Sequence, residues 1–88
     1  MKLKKDYILQ DMGEDAVLVP VGTAGESFHG IVRLNNTAAF VVARLRQGTD
    51  FESICDAMCE EYDADREVLE RSVTEVIRKL RDISAIED

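Results

Sequence analysis

Few residues in this chain are of types that make or break bonds. There is one histidine, His29, and there are two cysteines, Cys55 and Cys59. His29 has no second histidine and no cysteine cluster to support it, so it reads as a surface residue rather than a base or a metal ligand. Cys55 and Cys59 stand four apart in a segment of helical periodicity and share a face. They read as buried thiols beside Met58. A disulfide between them is disfavoured, because both side chains leave one helix in the same direction. The run Gly22-Thr23-Ala24-Gly25-Glu26-Ser27 has the glycines of a phosphate cradle. It lacks the Lys-Ser/Thr ending, and no helical pattern follows it. Carboxylates are plentiful, but they fall on helix surfaces, and no nucleophile stands beside a base. The chemistry that remains is non-covalent recognition, and neither an enzyme, a metal nor a cofactor is expected.

The elements that would carry such recognition are compact. With 88 residues the chain is long enough for one domain, expected to span residues 1–88. A domain of this size buries only about 60% of the surface its unfolded chain exposes. A groove or a sheet edge is easier to build on so thin a core than a deep cleft. Hydrophobic residues make up 45% and charged residues 33%, a globular balance rather than a disordered one. No apolar run approaches the roughly 20 residues that cross a bilayer. The opening MKLKKDYILQD lacks the apolar centre of a signal peptide. A cytoplasmic protein without membrane contact is expected.

The pattern along the chain predicts strands first and helices after. Tyr7–Met12 and Ala16–Val21 are short apolar runs around Gly13-Glu14-Asp15, the spacing of a hairpin. Pro20 cannot donate to a ladder and belongs at an edge, a bulge or a strand end. Phe28–Leu34 alternates: Phe28, Gly30, Val32 and Leu34 share one face, and His29, Ile31 and Arg33 the other. Asn35 and Asn36 offer cap oxygens to a helix over Thr37–Gln47, apolar around most of its circumference and ended by Gly48. Thr49 and Glu52 have the spacing of a capping box before a second helix, Asp50 to about Tyr62, with a stripe of Phe51, Ile54, Cys55, Met58 and Tyr62. Asp65 can cap a third helix, Arg66 to about Asp82. Its core stripe is Leu69, Val73, Val76, Leu80 and Ile83. Ile77 widens one margin; Val68, Ser72 and Lys79 line the other.

Three stretches carry a resemblance. Leu34-Asn35-Asn36-Thr37-Ala38-Ala39-Phe40, then Gly48-Thr49-Asp50-Phe51-Glu52, then Glu60-Glu61-Tyr62-Asp63-Ala64-Asp65 resemble the PqqD family in order and spacing, with Leu80 in the place of a family leucine. The likeness covers nearly the whole chain after the first few residues. Members often have a tryptophan where this chain has Val42, and Gly-Leu where it has Ser84-Ala85. The resemblance implies a small α+β, winged-helix-like domain: a three-stranded antiparallel sheet followed by three helices. It also implies a non-catalytic chaperone that binds the leader of a ribosomally made precursor peptide and presents it to a modifying enzyme, often a radical SAM enzyme.

The physics of that role is strand addition, in which an extended peptide pairs with a sheet edge and pockets select its alternate side chains. The resemblance places the leader beside the third strand and third helix. The expected peptide-binding residues are therefore His29, Gly30, Ile31, Val32 and Arg33. The backbone of His29, Ile31 and Arg33 would form the ladder. Val68, Ser72, Val76 and Lys79 are expected to wall the groove, with the opposite margin, Ile77 and Arg81, as the alternative. Charge is uneven: Asp50–Asp65 holds seven acidic residues and no basic one, whereas Arg66–Arg81 holds five basic and three acidic. On that asymmetry alone, Glu52, Asp56, Glu60 and Glu61 are expected to meet the enzyme.

Two other readings use the same elements. A winged-helix DNA-binding protein would set Arg71, Arg78, Lys79 and Arg81 against phosphates. The net charge of −7 and the acidic hairpin tip oppose it, and no nucleic-acid partner is expected. A general protein-interaction subunit would use the same groove for a partner that is not a modified peptide.

Overall fold

The computed structural model describes residues 1–13, 15–22 and 30–88. It shows the expected α+β class, with an open three-stranded antiparallel sheet and, among the described residues, three helices after it. The strands of this sheet are β2 (Tyr7–Met12), β3 (Asp15–Pro20) and β4 (Val32–Leu34), in the order β2-β3-β4. The helices are α1 (Asn36–Leu45), α2 (Phe51–Glu61) and α3 (Arg66–Asp82). A second ribbon, absent from the sequence reading, pairs β1 (Lys2–Leu3) with β5 (Ile86–Glu87). Two-residue strands carry no periodicity to read, and only tertiary contact makes these pair.

The hairpin pairs Tyr7 with Pro20 through to Met12 with Asp15. Pro20 is the last residue of its strand, where a missing N–H is tolerated. At the turn, Gly13 has φ +87° and donates its N–H to Asp11 Oδ1 at 3.1 Å. β4 is shorter than the predicted Phe28–Leu34. Phe28 and His29 lie outside the described residues, and Gly30 and Ile31 precede the strand. The register pairs Leu18 with Val32, so Gly30 would next face Pro20. A residue without a side chain opposite one without an N–H gives the ladder little to continue on.

Asn35 caps α1, its Oδ1 accepting from Ala38 N–H at 2.8 Å, and Gly48 leaves the helix with φ +84°. The cap of α2 is Asp50, one residue later than the capping-box expectation. Its Oδ1 accepts from Ser53 N–H at 2.7 Å, and that bond holds the Asp50 carboxyl below its ordinary pKa. Thr49 is engaged elsewhere: its N–H donates to Met1 O, and its own carbonyl accepts from the Met1 ammonium, both at 2.8 Å. Glu52 turns to Arg66 instead of back to the cap. Asp65 stands at the start of α3 without a side-chain cap bond.

The core lies between the sheet and the three helices. Leu18, Val41, Val42, Leu45, Ile54 and Val73 are fully buried in it. Two assignments shift. In α3, Ile77 is buried with Leu69, Val73 and Leu80, while Val76 and Ile83 are only half-buried. The apolar stripe is wide enough to be read centred on either margin, and packing chooses the Ile77 side. In α2, Cys55 is buried but Cys59 is exposed. The stripe runs through Ile54, Met58 and Tyr62, and Cys59 sits about 100° around the helix from Met58. No described helix is long and apolar enough to cross a membrane.

Candidate peptide-binding groove

β4 pairs with β3 on one side, and no described strand pairs with the other. Beside that open edge runs a trough of about 500 Å³ between β4, the first turn of α1 and one flank of α3. Its floor is apolar. Val32, Leu34 and Ala38 face Val76, Leu80 and Ile83 across it. From Ser72 to Ile83 the helical wall extends about 16 Å, the length of roughly five residues of strand.

The sequence-predicted residues divide as follows. Val32 and Arg33 line the trough from the strand, and Ser72, Val76 and Lys79 line it from α3. Val68 is 45% exposed on the same flank, beyond the trough's end. Ile31 is 59% exposed next to β4, and Gly30 is exposed before it. His29 lies outside the described residues. The alternative margin opens elsewhere: Ile77 and Arg81 line a separate depression with Met1 and Phe51. Sequence reasoning missed the third wall, Asn35 and Ala38. The signal was present, since an Asn cap directly after a strand makes the chain reverse and brings the first helical turn over the strand's end.

Charges around the trough are mixed. Arg33 is 3.7 Å from Asp15, with both side chains mostly in solvent, a contact of little energetic weight. Glu75 is held by Arg78 at 2.7 Å. Among the described residues, no carboxylate lies within ion-pair distance of Lys79.

Outside the trough lining, Arg66 collects three carboxylates. It meets Asp56 at 2.7 Å, Glu52 at 3.0 Å and Glu70 at 3.0 Å, clamping α2 to α3 and raising its own pKa further. Of the four acidic residues expected to face an enzyme, Glu52 and Asp56 are thus engaged, and Glu60 and Glu61 are exposed with no ion-pair partner among the described residues. Burial pushes the Cys55 thiol up, away from the thiolate form a nucleophile needs. Among the described residues, no group of three or more His, Cys, Asp or Glu is placed to hold a metal.

An open edge above an apolar trough is the geometry strand addition requires, and the sequence match has the corresponding extent. The family described as coenzyme PQQ synthesis protein D (PqqD) matches residues 15–86. The chain belongs to the PqqD family. Two solved structures share the PqqD-like fold seen here. One is TbiB1 in complex with the TbiA(beta) leader peptide, at 25% identity and a TM-score of 0.82, covering 99% of this chain and 95% of that one. The other is a lasso peptide synthetase B1 complexed with the leader peptide, at 25% identity and a TM-score of 0.73, covering 92% and 89%. No curated protein matches significantly.

Proposed function

We propose that this chain is a single non-catalytic recognition unit for the leader of a ribosomally made precursor peptide. The leader adds as a strand to the β4 edge, and α3 walls its inward side chains. The observation that carries this reading is the open edge of β4 directly above the apolar trough. Both structural neighbours being leader-peptide complexes supports it. Inward leader residues would rest on Val32, Leu34 and Val76. Outward ones would lie beside Ile31 and Arg33, one apolar and one cationic contact. The backbone of Ile31 and Arg33 would supply the ladder bonds, and Ser72 and Lys79 the polar rim, with Val68 prolonging the wall.

The domain's contribution is proximity rather than chemistry. Ordering a disordered leader costs conformational entropy and limits affinity. Tethering the bound peptide to its enzyme raises the effective concentration at the enzyme's active site. A radical SAM enzyme is the partner we favour, docking on the acidic face of α2. Because Arg66 occupies Glu52 and Asp56, that face offers Glu60 and Glu61 most freely. Reversal of Glu60 and Glu61 to lysine is expected to weaken enzyme binding and leave leader binding unchanged.

DNA binding is the weaker reading. Arg78 and Arg81, two of the four cations it would use, are paired with Glu75 and Asp88. The deciding experiment is fluorescence polarisation with the labelled leader of the precursor encoded nearest this protein. Val76→Asp and Ile31→Pro are each expected to abolish binding. Full affinity in both variants would refute strand addition at this edge.

A further inference from the structure

A second depression of about 350 Å³ lies around the end of the sheet from the trough, between the hairpin tip, α1 and the end of α2. Leu34 lines both. Its walls are the apolar side chains of Leu9, Ala39 and Ala43 and two aromatic rings, Phe40 and Tyr62, packed edge to face with centroids 5.8 Å apart. Two carboxylates border it: Asp15 already stands 3.7 Å from Arg33, whereas Asp11 has no cation within ion-pair distance among the described residues. One carboxylate oxygen of Asp11 accepts the Gly13 N–H, which leaves the other for a ligand. Phe40 already holds the Arg44 guanidinium 5.0 Å from its ring centre, so this aromatic pair is suited to cationic company.

The sheet register fixes how far this site stands from the trough. Asp11 pairs with Ala16, and Ala16 with Leu34, so the three form one cross-strand row. Two strand spacings separate Asp11 from Leu34, about 10 Å, which roughly three extended residues cover. A peptide lying along β4 and leaving it at the Leu34 end therefore arrives beside an apolar, aromatic and anionic hollow within a few residues. Its chemistry complements a lysine or arginine: rings and alanines for the aliphatic stem, the Asp11 carboxylate for the charged head.

The geometry points to a second subsite, in which the depression around Asp11, Phe40 and Tyr62 takes a basic side chain of the same precursor peptide, a few residues beyond the segment that pairs with β4. This subsite rests on the trough being the leader groove. It gives the domain a polarity: a peptide with its basic residue on the wrong flank fills the trough but not the hollow.

A library of random peptides displayed on phage, selected on the full chain, tests both layers. Peptides selected on the unaltered protein should share apolar residues at alternate positions and a Lys or Arg on one constant flank. Selection on the Asp11→Asn variant, which keeps an acceptor for the Gly13 N–H, should retain the apolar pair and lose the basic residue. A synthetic peptide of the first consensus should bind that variant about ten-fold more weakly, the worth of one charge-assisted contact. Its affinity for the unaltered protein should also fall more steeply with added salt. A consensus without a flanking basic residue, or one whose basic residue persists on the Asp11→Asn variant, overturns the subsite and leaves the trough reading intact. Selection on a Val76→Asp variant separates the two: unchanged consensus peptides there would overturn the trough, and the subsite with it.

Discussion

The two flanks of α3 are finished in opposite ways. On one, the chain termini close the structure. β1 pairs with β5, the Met1 ammonium donates to Thr49 O and the Thr49 N–H to Met1 O, Tyr7 Oη donates to Ile83 O at 2.6 Å, and Arg81 grips Asp88 through both terminal guanidinium nitrogens at 2.9 and 3.1 Å. Leu3, Ala85 and Ile86 are buried there. On the other flank, Val76 and Ile83 remain half-buried beside a strand edge without a described partner. The tail that might have covered β4 is used on the far side. An exposed edge invites aggregation unless it is short or covered, and β4 is only three residues long. So the open flank is a feature the fold holds at little risk, while the closed flank supplies rigidity.

Substitutions at neighbouring positions test this contrast. Ile77→Asp puts an unpaired carboxylate into the core and is expected to cost about 4 kcal/mol or more, enough to leave much of a small domain unfolded. Val76→Asp, one residue earlier, should lower Tm only slightly while leader affinity falls by about a hundredfold or more. Circular dichroism melts and fluorescence polarisation on the same samples separate the outcomes. Equal losses of stability in both variants would mean that α3 has no open flank. Ile86→Ala is the reverse experiment, with stability lowered by about 2–3 kcal/mol and leader affinity unchanged in the folded protein.

The strength of the sequence signal follows the same division. The open flank was legible because its parts are periodic or chemically marked: alternation through Val32 and Leu34, the Asn35 cap, and Ser72, Val76 and Lys79 at helical spacing. Which margin of α3 faced β4 was not legible, since Val76 and Ile77 are equally apolar and only the packing of α3 against α1 and α2 puts Ile77 in the core. The closed flank left almost no trace. Its ribbon is two residues per strand, and its decisive contacts join positions as distant as Met1 and Thr49 or Tyr7 and Ile83. For the same reason the capping box misled: Thr49 is drawn off by Met1, and Asp50 takes the cap.

A smaller effect sharpens the account of the closed flank. Ser84, where PqqD relatives often carry glycine, has φ +58° in the turn that sends the chain from α3 into β5. An L-residue in this left-handed region is disfavoured by roughly 1–2 kcal/mol. Ser84→Gly removes that strain and adds freedom to the unfolded chain, so a net gain of about 0.5–1 kcal/mol is expected. Chemical denaturation measures it, and leader affinity should not move. A loss of stability would show that the Ser84 side chain does more here than endure its backbone angle.

The smallest expected effect is a pH dependence confined to one flank. Asp50 and Asp88 both stand on the closed side, and both carboxyls are held below their ordinary range, Asp50 by the Ser53 N–H and Asp88 by Arg81. The N-terminal ammonium adds a further pull on each. A carboxyl with a lowered folded pKa stabilises fully above the ordinary carboxylate range and loses that stabilisation as the pH falls through its folded value. Acid should therefore loosen the β1–β5 ribbon first. Hydrogen exchange followed from neutral pH downward, after correction for the intrinsic rate, should show protection lost at Ile86 before Val32. Salt should blunt the Arg81–Asp88 part, because both groups lie in solvent. If Val32 opens first, the edge that receives the peptide is itself the weakest part of the fold, and the rigidity credited to the termini belongs to the core alone.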